Sequence, residues 1–178
     1  PDSRMLVGAM LPDGRIEQLV DAFAANGVSR DRLSFHMRGD MNGYLEQHQQ
    51  VDICLDTFPY TGGTTAYHAL WMGVPTLTLA GRTVPGRPGA AILGQVGLQA
   101  FVAHDAAEFV ARGVALASDP ALLARIRSES RERLRRSAMG QPELIASSLE
   151  RALRVMWQRW CDGLPPAAFS VGAPDLAD

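Results

Sequence analysis

Short apolar runs alternate with stretches of helical periodicity along the chain, and this alternation predicts βα units built around a parallel sheet. Met5-Leu6-Val7 is the first strand candidate, and Pro12-Asp13-Gly14 reads as a turn. From Arg15 onward Ile16, Leu19, Val20 and Phe23 recur at i, i+3, i+4 and i+7. That stripe is a helix lying on a sheet, stopped at Asn26-Gly27. Arg32 to His36 reads as strand, and Gly43 to Gln50 as a short polar helix. Val51-Asp52-Ile53-Cys54-Leu55-Asp56 is the clearest strand, ended abruptly by Thr57-Phe58-Pro59-Tyr60-Thr61-Gly62-Gly63. Thr64 or Thr65 then opens a helix through Ala66, Leu70 and Trp71, closed by Gly73 and Pro75.

Thr76-Leu77-Thr78-Leu79 is strand again, and Ala80-Gly81 to Pro88 is a loop rich in Gly, Pro and Arg. A helix to about Val96 and a short strand at Phe101-Val102 follow. Asp105 with Glu108 forms a capping box, and Asp119-Pro120 places an N-cap before a proline at the first helical position. The last helix should run from Pro142 to Trp160, with Ile145, Leu149, Ala152, Leu153, Met156 and Trp160 on one face. The expected architecture is α/β, a Rossmann-like parallel sheet of about five short strands with helices on both faces. Residues 1–163 are read as one domain, and 164–178, after Gly163-Leu164-Pro165-Pro166, as a loosely ordered tail.

Composition narrows the class. At 178 residues, 47% apolar and 20% charged, the chain has the proportions of one cored globular domain. A net charge of −2 supplies no electrostatic reason for a nucleic-acid or anionic-membrane partner, and no apolar run reaches a membrane span. Cys54 and Cys161 make no disulfide framework or metal cluster, so a reduced, cytoplasmic setting is expected. All 17 basic residues are arginine, so any lysine chemistry must come from outside this chain. The start, Pro1-Asp2-Ser3-Arg4, is what a piece of a longer protein would show.

Candidate chemistry concentrates where the strand ending at Asp56 meets the glycine turn and the following helix. Ligands of open α/β sheets bind beyond the carboxyl ends of strands, and helix N-termini hold phosphate through unpaired N–H groups. Gly62 and Gly63 would let the backbone approach an anion, and Thr64 and Thr65 would add hydroxyl donors. The same segment is equally readable as a plain βα turn with a threonine cap. The Gly-Lys-Ser/Thr ending of a Walker A loop is absent.

The run Asp52-Ile53-Cys54-Leu55-Asp56-Thr57-Phe58-Pro59-Tyr60-Thr61-Gly62-Gly63-Thr64-Thr65, followed by Ala69-Leu70-Trp71-Met72-Gly73-Val74-Pro75, resembles the C-terminal catalytic region of O-GlcNAc transferases and SPINDLY-like proteins. Gly86-Arg87, Gly97-Leu98, Leu149-Glu150-Arg151 and Met156-Trp157 fit the same resemblance, which spans roughly residues 4 to 160. The resemblance implies the C-terminal, nucleotide-sugar half of a GT-B glycosyltransferase, preceded in the full protein by tetratricopeptide repeats and an acceptor-side half. It implies donor-binding roles for Gly62, Gly63, Thr64 and Thr65 at the diphosphate of UDP, and for the backbone near Gly39 at the uracil edge. The family's His-Leu-x-x-Tyr appears here as Tyr44-Leu45-Glu46-Gln47-His48, so Tyr44 takes the stacking place. His68 stands where the family often has an acidic residue contacting ribose, and Arg87 matches a loop arginine able to reach the phosphates or to brace loops. The family's lysine and acceptor-side histidine lie upstream of the matching segment, leaving no catalytic residue in this chain. No cofactor or metal is implied, only a UDP-sugar donor of the UDP-GlcNAc type and a protein acceptor.

The expected function is therefore the donor-binding part of an inverting, metal-independent transferase acting on Ser or Thr hydroxyls. Alternatives are a UDP-glucose-using relative acting on Asn, a nucleotide-binding module without turnover, and a doubly wound domain with no nucleotide role. His36, His48 and His104 read as ordinary polar residues, and the arginines from Arg125 to Arg136, with Glu129 and Glu132, as a solvated helix face. Trp157 and Trp160 read as core or as packing against another domain.

Overall fold

Strands and helices alternate through the computed structural model, which describes residues 3–10 and 15–172. Two compact units divide the chain, residues 1–54 and 55–178, and each is described by itself. The turn expected at Pro12-Asp13-Gly14 lies outside the described residues, as does the end of the tail from 173 onward.

In the first unit, β1 (Met5–Met10) and β2 (Leu33–Met37) pair in parallel, with Met5 opposite Leu33 and Val7 opposite Phe35. The register shifts between Val7 and Met10, where Ala9 takes a φ of 55°, an unusual conformation for a residue with a Cβ. Between them, α1 (Arg15–Ala24) half-buries the four apolar positions of the stripe, Ile16, Leu19, Val20 and Phe23. Its end is a Schellman motif, with Gly27 at a φ of 76° donating to Ala24 O and Val28 N–H donating to Phe23 O. The polar helix becomes α2 (Met41–Gln47), capped by the Asp40 carboxylate through Gly43 N–H at 2.8 Å.

The second unit holds a three-stranded sheet in the order β3-β4-β5, formed by β3 (Cys54–Leu55), β4 (Thr76–Leu79) and β5 (Val102–Ala103). β4 and β5 are parallel, and Asp56 N–H continues the β3 edge by donating to Leu77 O. The helices flanking these strands are α3 (Thr64–Trp71), α4 (Pro88–Gln95), α5 (Ala106–Ala117) and α6 (Pro120–Arg136). Leu70, Val74, Leu77, Leu93, Phe101 and Ala103 form the buried centre, each at 1% exposure or less. The α/β character with parallel strands and flanking helices is as expected, but the strands form two sheets of two and three strands rather than one.

The helix starts follow local chemistry. Asp105 caps α5 through Glu108 N–H, while the Glu108 carboxylate reaches back to the N–H of His104, one residue before the cap. Asp119 accepts from Leu122 N–H and Pro120 opens α6. The arginines of α6 make ion pairs along the helix, Arg133 with Glu129 and Arg136 with Glu132, and bond to carbonyls of neighbouring elements. The last helix, α7 (Pro142–Cys161), departs from the core reading: none of its residues is fully buried. Leu149, Leu153, Met156, Trp157 and Trp160 are more than half exposed, and the two tryptophan rings stack on each other at 5.2 Å.

Candidate functional site

Asp56 directly follows β3, and its side chain turns inward and is only 8% exposed. Its Oδ1 accepts the Gly62 N–H at 2.7 Å and its Oδ2 accepts the Thr78 hydroxyl at 2.8 Å. Burial pushes the carboxyl above its ordinary value of 3.8, against the opposing pull of these two donors. The loop between Asp56 and α3 is held a second time at Thr61, whose N–H and hydroxyl both donate to Pro85 O. Gly89 N–H, in the first turn of α4, donates to the Thr61 hydroxyl. The glycine loop is thereby tied to the 80–88 loop and to the start of α4.

α3 opens with Gly63 as N-cap, and no side chain caps it. A Cβ at Gly63 would meet nothing within 4 Å, so the space beside this N-terminus is open. Gly62 is different, because a Cβ there would lie 2.4 Å from Thr65 Oγ1. Its lack of a side chain serves the close approach of the Thr65 hydroxyl. Thr64 and Thr65 are exposed in the first turn, and His68 is half-buried one turn later, four residues after Thr64. Arg87 is exposed immediately before α4. Uncapped N–H groups, a partial positive charge and two hydroxyls beside open space form an arrangement suited to an anion.

In the first unit, Gly39 and Tyr44 line a cavity of about 220 Å³ together with Ala9, Met37, Met41 and Gln47. This is below the roughly 300 Å³ at which pockets begin to hold drug-sized ligands, and its lining also includes the charged Arg38 and Asp40. Tyr44 meets His48 edge to face at 5.0 Å, and burial raises its hydroxyl pKa, with Cys54 adding to the shift. His48 is itself buried, with Nδ1 3.1 Å from Tyr44 O, and supports this wall from behind. Of the residues singled out in the sequence, Gly39 and Tyr44 thus share one cavity, while Gly62, Gly63, Thr64, Thr65 and His68 share one helix start. Asp56 was read only as the end of a strand. An acidic residue closing an apolar run ahead of a glycine turn was the available signal.

Residues 9–149 match the family model described as Glycosyl transferase family 41. The chain belongs to that family. Among relatives of this family 41 chain, the probable UDP-N-acetylglucosamine–peptide N-acetylglucosaminyltransferase SPINDLY of Hordeum vulgare is 40% identical over 124 residues, 70% of this chain and 13% of its own length. The similarly named protein of Oryza sativa subsp. japonica is 34% identical over 173 residues, 94% of this chain and 18% of its own. A mutant of the O-GlcNAc transferase of Thermobaculum terrenum superposes with a TM-score of 0.80 at 32% identity, covering 90% of this chain and 31% of that one. The family 41 chain therefore spans less than a fifth of the curated relatives it matches. Among its described residues no group of three His, Cys, Asp or Glu could hold a metal ion, and no helix is long and apolar enough to cross a membrane.

Proposed function

We propose that this chain is the donor-binding part of a protein glycosyltransferase, using a UDP-sugar of the UDP-GlcNAc type and acting on Ser or Thr hydroxyls. The observation that carries the reading is the uncapped, open N-terminus of α3, at Gly63 to Thr65, in a chain of family 41. The N–H groups of that turn and the hydroxyls of Thr64 and Thr65 receive the diphosphate, with Arg87 as a further donor. Taken by itself, the first unit offers a cavity at Gly39 and Tyr44 that a nucleotide base could enter, with Tyr44 as the stacking face. His68 is assigned to a ribose hydroxyl, which an imidazole nitrogen can bond.

The reaction is an inverting displacement that needs neither metal nor cofactor. The acceptor oxygen bonds to the anomeric carbon, the bond from that carbon to UDP breaks, and the acceptor proton passes to a base outside this chain. This chain's part is to hold the leaving diphosphate and offset its developing charge with N–H and O–H donors. A cation beside the phosphates and the acceptor-side groups come from residues that precede this segment, in a cytoplasmic parent protein with tetratricopeptide repeats. The exposed apolar face of α7 is the surface on which the acceptor-side half rests.

Calorimetric titration tests the reading. UDP should bind more tightly than uridine, and replacing Thr64 and Thr65 together by Ala should remove about 1–3 kcal/mol from UDP binding alone. EDTA should change neither value. Equal affinity of the unaltered chain for UDP and uridine would refute phosphate binding at α3. Incubated with UDP-GlcNAc and a Ser/Thr-rich peptide, this chain alone should transfer no sugar.

A further inference from the structure

Asp56 is more than the end of a strand. Its carboxylate brings together four pieces of the second unit: the residue just after β3 that carries it, Gly62 of the glycine loop, Thr78 of β4, and the first turn of α4. At α4 the approach is so close that a Cβ on Gly89 would lie 2.5 Å from Asp56 Oδ2. The loop bond is the one that bears on function. Gly62 precedes the N-cap of α3 by one residue, so the acceptor of its N–H fixes the peptide that leads into the helix. With the Gly62 N–H spent on Asp56, the groups left to face a ligand are those from Gly63 onward. Thr65 Oγ1, drawn over Gly62, depends on the same loop conformation.

We infer that Asp56 is a positioning residue for the diphosphate of the nucleotide: it holds the Gly62–Thr65 turn in the conformation that presents its N–H and hydroxyl donors, without touching the ligand itself. The inference rests on the proposed binding of a diphosphate at α3. The carboxylate is not needed as a charge at this point, because a neutral amide oxygen accepts the Gly62 N–H as well. Its shape and acceptor position are what count.

Three titrations of the full 178-residue chain separate this role from general support of the fold. In Asp56→Ala the affinity for UDP should fall about tenfold while that for uridine stays within about twofold, since only the diphosphate donors lose their alignment. Asp56→Asn, which restores an acceptor at the Oδ1 position, should recover UDP affinity to within about threefold. If Asp56→Ala does not fold, Thr78→Val takes its place. It removes one of the two donors fixing the carboxylate at nearly unchanged volume, and should lower UDP affinity about threefold with uridine unaffected. An unaltered chain that binds UDP no better than uridine overturns the diphosphate reading and this inference with it. An affinity for UDP that is unchanged from that of the unaltered chain in the Ala variant, or in the Val variant where it takes its place, overturns the positioning role alone. Equal losses for UDP and uridine, or no recovery in Asp56→Asn, overturn it as well.

Discussion

Two alanine substitutions in one helix should have opposite effects on stability. Gly89 and Gly94 both lie in α4, and neither has a positive φ. A Cβ on Gly89 would sit 2.5 Å from Asp56 Oδ2 and 2.7 Å from Thr78 Oγ1, two atoms already bonded to each other at 2.8 Å. Both partners are buried, at 8% and 0% exposure, so neither can swing into solvent. Overpacking of this kind costs about 1–3 kcal/mol. Loosening a hydrogen bond to a charged group adds up to about 1.5–3 kcal/mol. The usual gain from replacing a helical glycine by alanine returns only about 0.5–1 kcal/mol. Gly89→Ala should therefore destabilise the second unit by about 2 kcal/mol, lowering its Tm by about 4–8 °C for a chain of this size. A Cβ on Gly94 meets nothing within 4 Å. There the gain stands alone, about 0.5–1 kcal/mol or about 1–4 °C upward. Trp71, Trp157 and Trp160, the three tryptophans of the chain, all belong to the second unit, so their fluorescence during thermal unfolding reports on it. A Tm for Gly89→Ala equal to or above that of the unaltered protein would refute the tight contact of α4 with Asp56.

The raised carboxyl of Asp56 has a consequence for pH. A group whose native pKa lies above its unfolded value stabilises most below the unfolded value, here 3.8, and that contribution is lost as pH rises through the native pKa. The unfolding free energy of the unaltered protein minus that of Asp56→Asn should fall as pH rises from below 3.8 and then level off; a difference that climbs with pH contradicts the cause given. Arg131 donates from Nε to Trp71 O at 2.9 Å and lies 5.0 Å from the centre of the Trp71 ring. Arg131→Ala should cost about 1–2 kcal/mol in urea unfolding with an unchanged m value, and lysine should restore only part of it. Asp119→Ala removes the cap of α6 and should cost about 1 kcal/mol, read as a lower urea midpoint.

Much of the fold is written in neighbours along the chain. The stop of α1 at Gly27, the Asp105 and Asp119 caps and the opening of α3 after Gly63 each depend on residues a few positions apart. Such short-range chemistry survives translation into sequence pattern, which is why the five strands could be located from it, although α2 starts at Met41 rather than Gly43 and only Cys54–Leu55 of the run Val51–Asp56 is strand. The glycine turn and its two threonines were legible for the same reason.

Other features depend on contacts between residues far apart in the chain. No local signal distinguishes a strand-ending Asp56 facing solvent from one buried against Thr78 and Gly89, which arrive 22 and 33 positions later. Gly62 looked like a backbone free to meet an anion, yet its N–H is engaged by Asp56 and its open face by Thr65. The division of the strands into two sheets is a matter of pairing, which strand propensity does not encode. For α7 the apolar stripe from Ile145 to Trp160 was visible in the sequence, but whether such a stripe is covered depends on what packs on it. Periodicity records which residues share a face. Burial belongs to the assembled structure, because it is the sum of contacts that chain neighbours do not supply.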